Sequence, residues 1–194
     1  MNMAFPTRKG VRFDEFDLDI QGQMDDVRLP KIVRGLALEG GPYAVSVAEN
    51  VLKISGKGTM EGQAIDVDYR EFLRAKGQEY AARAKASLMV DGGMREKFGM
   101  DLSDFMDGAA FVDVTYTDYG ARSEAEVKAD LKDARVYVKP FDYEKPVGAV
   151  GEAALRVVLD DGVLKEIVDL TARAPDFDVA GANLKFRGSG ADTE

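Results

Sequence analysis

The feature that most constrains this chain is an alternation of apolar and polar residues with a period of two, returning almost from end to end. Phe16, Leu18 and Ile20 alternate with Asp17 and Asp19, and Ile65, Val67 and Tyr69 with Asp66, Asp68 and Arg70. Tyr43, Val45 and Val47 repeat the pattern, as do Val112, Val114 and Tyr116, and then Val127, Ala129 and Leu131. Successive side chains of a pleated strand point to opposite faces, so each segment reads as a strand with one apolar face. Leu36 with Leu38, Leu52 with Ile54, Val136 with Val138, Phe177 with Val179 and Leu184 with Phe186 extend the series. The longest pair is 149–159 and 163–174.

Turn residues punctuate these runs. Gly22 ends the first, Gly40-Gly41-Pro42 and Glu49-Asn50 read as turns, Gly58 to Gly62 reads as a hairpin, and Asp160-Asp161-Gly162 as another. A bulge is expected near Ile167-Val168. Residues 78–85 are rich in Ala, with Arg83 among them, and admit a helix, but Ala82, Ala84, Ala86 and Leu88 alternate with Arg83, Lys85 and Ser87, which favours a strand. The pattern breaks once, where Met94, Phe98, Leu102, Phe105 and Met106 fall at spacings of three and four. That is a helical insert near residues 92–107, split by Gly99, its second half capped by Asp101 or Ser103 and ended by Gly108. Ten to twelve strands joined by short connections make antiparallel meanders, since parallel pairing needs long crossovers.

A sheet with one apolar face must bury it. About sixteen helical residues cannot cover ten strands, which stacked at about 4.8 Å extend about 48 Å. Either the sheet closes on itself as a β-sandwich or barrel with an ordinary core, or an apolar face stays open. An open strip of that size exceeds what soluble monomers show and asks for an apolar occupant. Acyl chains suit it, at about 0.8 kcal/mol per buried CH₂.

The 194 residues include no Cys, His or Trp, which removes disulfides, thiolate and imidazole chemistry and histidine metal sites. The formal net charge of −9 disfavours nucleic acid and anionic bilayers as partners. No apolar run reaches the roughly 18 residues of a membrane-spanning helix. Residues 1–11 are expected to be a disordered or vector-derived start, 12–190 a single β-rich segment of a longer protein, and 191–194 a tail.

The segment from Ala129 to Val136 (ADLKDARV), followed by Tyr143-Glu144-Lys145-Pro146-Val147-Gly148, resembles the AsmA-like C-terminal region of large bacterial envelope proteins of the YhdP and TamB type. In that family a strand leads into an aromatic-x-Lys-Pro-x-Gly turn and then a long hairpin ending at a Gly, here Gly188. Phe98-Gly99-Met100-Asp101-Leu102 and Gly108 are similar to the family's short insert. Asp142 departs from it, standing where the family usually has Gly. The resemblance covers roughly residues 12–190. It implies a mainly β fold: an extended, curved antiparallel sheet, groove- or half-barrel-like, with an apolar groove. It also implies a place in the periplasm, with an inner-membrane anchor elsewhere in the full protein. The implied role is non-enzymatic phospholipid transport between inner and outer membranes and envelope maintenance. The implied partners are phospholipid acyl chains, neighbouring β segments of the same protein and other envelope proteins.

The groove candidates are Leu18, Ile20, Val45, Val47, Ile65, Val67, Val112, Val114, Val157 and Leu159; in a closed sandwich the same residues are core. Lys145 is either a contact for a lipid phosphate or a turn residue that keeps an edge soluble. Asp66 with Asp68, and Asp101, Asp104 and Asp107 at helical spacing, read as solvated acidic faces. No catalytic residue, metal site or cofactor is expected. A structural or assembly module for outer-membrane biogenesis that binds no lipid, and a closed β-sandwich interaction domain, are the alternatives.

Overall fold

The computed structural model describes residues 2–3, 18–33, 36–98 and 100–186. Phe16, Gly99, Gly188, residues 4–11 of the expected start and the tail at 191–194 lie outside them. The strands are β1 (Asn2–Met3), β2 (Leu18–Met24), β3 (Val27–Val33), β4 (Leu36–Ala48), β5 (Val51–Met60), β6 (Gln63–Phe72) and β7 (Ala82–Val90). Helix α1 (Gly92–Lys97) follows, then β8 (Met106–Gly108), β9 (Ala110–Asp118), β10 (Arg122–Asp130), β11 (Ala134–Val138), β12 (Tyr143–Lys145), β13 (Glu152–Asp160), β14 (Val163–Ala174) and β15 (Phe177–Lys185). The fold is mainly antiparallel β, with open sheets and one short α-helix among the described residues. Residues 82–90 are strand, as their alternation indicates.

The chain divides into two compact units, Met1–Ala86 and Ser87–Glu194, with the boundary inside β7. In the first, the ladder runs β1-β2-β4-β5-β6, and β3 pairs with the other half of β4. The hairpins β4–β5 and β5–β6 turn through Glu49-Asn50 and Glu61-Gly62, all four residues at positive φ. Such two-residue turns match the twist of the flanking strands, which is why short polar pairs and Gly occupy them.

Gly40-Gly41-Pro42 is not a turn. It is a bulge inside the thirteen-residue β4. Gly40 faces Gly58 and Tyr43 faces Gly56, so three steps on β4 match two on β5. The apolar residues of β4 change parity there, from Leu36 and Leu38 to Tyr43, Val45 and Val47. One extra residue keeps both sets on one face, and the positive φ of Gly40 and Gly41 provides it. Tyr43, only 1% exposed, then lies over β5, where Gly56 and Gly58 leave a slot for its ring. A Cβ on Gly58 would run into the Tyr43 ring and the Glu39 carbonyl. Gly58 is thus a strand residue, and only Glu61-Gly62 turns. Strand β2 likewise passes through Gly22 to Met24, and β3, interrupted by Pro30, is a strand that alternation does not reveal.

In the second unit the main sheet runs β9-β10-β13-β14-β15, and a smaller sheet runs β12-β11-β8. The expected insert over 92–107 forms helix only at 92–97. Asp91 caps it by accepting from the Met94 N–H at 2.9 Å, and Arg95 and Lys97 sit favourably in its last turn. Beyond it, Asp101 accepts from the Ser103 N–H and hydroxyl, making a local turn and not a helix cap, and those bonds hold its carboxyl below the ordinary range. Leu88, Val90, Met94 and Ala110 are buried.

Strand β14 pairs with β13 through two one-residue slips, one between Leu164 and Glu166 and one between Val168 and Thr171, flanking the site expected for a bulge. Each slip coincides with a change in apolar parity along Leu164, Ile167 and Ala172, which therefore stay on one face.

The Tyr43 slot yields a comparison of two glycines in the first unit. Gly58→Ala is expected to lower stability by about 2 kcal/mol or more, because ring and backbone must both move. Gly22→Ala, with no neighbouring atom within 4 Å of its added Cβ, is expected to change it by less than about 0.5 kcal/mol. Urea denaturation midpoints at constant slope measure both.

Candidate functional site

Directly paired residues of antiparallel strands share a face, so the register tells which candidate residues meet. In the first unit, Ile20 faces Val47, and Val47 faces Leu52; Val45 faces Ile54, which faces Tyr69. Ile65 and Val67 join the same face across Gly58 and Gly56. Leu18 pairs with Met3 through the backbone, and its side chain lies outside the described residues. The opposite face carries Lys53, Lys57, Asp66, Asp68 and Arg70, with Lys57 paired to Asp66 at 2.9 Å.

In the second unit, three rows cross the sheet. Val112, Ala129, Ala153, Ala172 and Val179 form one. Val114, Val127 and Leu155 form the next, and Tyr116, Ala125, Val157, Ile167 and Leu184 the third. Leu159 shares a fourth row with Asp118, Ser123 and Leu164. The structure thus brings Val112, Val114, Val157 and Leu159 onto one apolar face, and adds the β14 and β15 residues that the sequence candidates omitted. Their signal was present as alternation, but it is broken by the slips.

That face is only half-buried. None of the apolar residues in these rows is fully buried, and Tyr116 and Leu184 are 39% and 48% exposed. A closed sandwich core would bury its central valines. In the first unit, Leu36, Leu38, Tyr43, Met60 and Ile65 are buried around the bulge, whereas Ile20, Val45, Val47 and Val67 are half-buried.

The polar face of the second unit carries cross-strand ion pairs. Arg156 reaches Asp169 at 2.7 Å and Glu124 at 3.5 Å, and the bond to Asp169 holds its guanidinium pKa above the ordinary value. Asp169 is well exposed, so its pair contributes little stability, whereas Glu124 is more enclosed, beside Thr117 and Val158, which are buried on this face. Asp104 pairs with Lys139 at 2.6 Å and Asp107 accepts from the Gly108 N–H, so the three aspartates of the insert serve separate contacts. No group of three or more acidic residues converges on a metal position among the described residues.

Lys145 has a different place from either expected one. It is 1% exposed and its ammonium donates to the carbonyls of Ala134 at 2.8 Å and Pro146 at 3.1 Å. Desolvation lowers its pKa, against the opposing pull of Asp130 and Asp133. It is a buried clamp between β11 and β12, not a headgroup contact. Arg95 is a second buried cation, donating to the Gly108 carbonyl at 2.9 Å. An isolated basic residue in a short helix gives no sequence signal for that role.

Comparison with known proteins finds no matching family model, no matching curated protein and no matching solved structure. No helix among the described residues is long and apolar enough to cross a membrane.

Lys145→Ala is expected to cost about 2–4 kcal/mol, through lost packing and two carbonyls left without their donor. Its lowered pKa also fixes a sign. Burial disfavours the charged form, so the group costs stability below its folded pKa, and that cost fades as pH rises through the window up to the ordinary value of 10.5. The stability of the native protein relative to Lys145→Met is therefore expected to improve between pH 7 and pH 10, measured by urea denaturation at each pH.

Proposed function

We propose that the apolar sheet faces of this protein hold the acyl chains of phospholipids, as a non-enzymatic segment of an AsmA-like envelope protein in the periplasm. The observation that carries the reading is the half-exposed row Val114, Val127 and Leu155 at the centre of the second unit's sheet. Apolar side chains held at a sheet's centre without full burial forgo roughly 25 cal/mol for every Å² left in water. Occupation by acyl chains recovers that free energy and needs no catalytic group. The division of labour between faces also supports the reading, since charged residues lie on the opposite side and leave the apolar one without an ionised side chain in its three central rows.

Two further observations favour the family assignment. Asp142 adopts φ 50 and ψ 36, a left-handed conformation at the position where the family usually has Gly. The Lys of the aromatic-x-Lys-Pro turn is a buried structural clamp, a reason for such a motif to persist without contacting lipid.

The test is purification without detergent, followed by native mass spectrometry and lipid extraction. The expected result is co-purifying phospholipid, reduced about tenfold or more in Val114→Asp and Val47→Asp while far-ultraviolet circular dichroism keeps its strand signal. A half-exposed site tolerates the charge in the fold but not in the apolar contact. Absence of lipid from every preparation, or unfolding of both variants as closed-core positions would, rejects the reading.

A further inference from the structure

The chain leaves the main sheet of the second unit at Asp130 and returns at Glu152, and the path between them is anchored at two points on the apolar face. The first is Gly151, which shares the face of Ala153 two residues on and pairs with Leu131. A Cβ built on Gly151 would meet the Lys145 stem, with Cδ at 2.8 Å, and Leu131 Cβ at 3.4 Å. The Lys145 stem therefore lies on the apolar side of the sheet. The second is Phe177, on the same face as Val179. The ring of Tyr143 stacks on it at 4.8 Å and 22°, and the Tyr143 hydroxyl donates to the Pro175 carbonyl at 2.7 Å. Tyr143 and Lys145 are the two ends of β12. From the start of β13 to the start of β15 is two strand spacings, about 10 Å, which a three-residue strand and its side chains span. Strand β12 thus crosses the main strands instead of extending them, over the row of Leu131, Gly151, Ala174 and Phe177.

We propose that β12 is a strap closing one end of this apolar face, and that Tyr143, Phe177 and Phe141 set the length of acyl chain the face accepts. This rests on the acyl-chain reading above. Beyond the strap the face runs from Ala153 to Leu159, six strand steps or about 20 Å. One leaflet's hydrocarbon depth is about 15 Å. An ordinary chain lying along the strands fits between the strap and the far turns, and a longer one meets the Tyr143–Phe177 stack. Phe141, with its ring 6.2 Å from Phe177 and 73% exposed, forms the rim of that stop.

The experiment is isothermal titration of the whole protein with lysophosphatidylcholines carrying lauroyl, palmitoyl and arachidoyl chains, each below its micellar concentration. A zwitterionic headgroup avoids repulsion by the acidic chain. In the native protein, affinity is expected to rise from lauroyl to palmitoyl and level off at arachidoyl. In Phe177→Ala it continues to rise, by about tenfold or more, since each additional CH₂ buried is worth about fourfold. Phe141→Ala, at an exposed position that the fold does not depend on, shifts the profile in the same direction and carries the test if Phe177→Ala fails to fold. A chain-length profile unchanged in the folded variants overturns the strap and leaves the acyl-chain reading standing. No binding of any chain by the native protein overturns both.

Discussion

Everything in this structure depends on the two-residue period of the pleated strand. A slip of one residue would carry a strand's apolar set to the wrong side, so each irregularity must be compensated. The bulge between Gly40 and Tyr43 and the slips along β14 are those compensations. At each, the sequence changes parity where the ladder gains a residue, so Val45 and Val47, and Ile167 and Ala172, stay with the faces their strands began on. Tyr43 then fills the slot above Gly56 and Gly58, which joins the bulge to the packing of its neighbour strand.

The same period made most of the fold legible. Residues 82–90, rich in Ala, formed the strand that their alternation required, because a helix would have scattered Ala82, Ala84 and Leu88 around its surface. Glu49-Asn50 and Asp161-Gly162 turn where short polar pairs allow positive φ. What stayed hidden was chemistry shared by two structures. Gly40-Gly41-Pro42 serves a bulge as well as a turn, and only the parity change beyond it distinguishes them. Helical spacing at Phe98, Leu102 and Phe105 was outweighed by side-chain bonds of Asp101 to Ser103, which favour a turn over a helix interior. Strand β12 is too short to show a period at all.

The candidate site was half legible. The alternation identified which valines share a face, and register joined them into rows. Whether that face is closed is a property of what lies above it, which no strand's own pattern encodes. Lys145 shows the same limit. Its neighbours in sequence suggest an exposed turn, and its burial comes from Ala134 on β11 and from Gly151, just before β13. A lysine buried against carbonyls and an apolar face left half in water are opposite departures from ordinary burial. The first fastens β12 to β11, and the second is the surface on which the acyl-chain proposal rests.

The central claim is that the rows through Val114, Val127, Leu155 and Val157 contact lipid and not another layer of protein. Nuclear Overhauser contacts from the methyl groups of Val, Leu and Ile in an otherwise deuterated protein measure this directly, with protonated phospholipid supplied in bicelles. The account predicts contacts from these four residues to acyl methylene protons, and none from Val158 or Val163 on the opposite side. Methyl contacts from Val114 and Val127 to protein groups across a closed core, with no lipid contact, would contradict it.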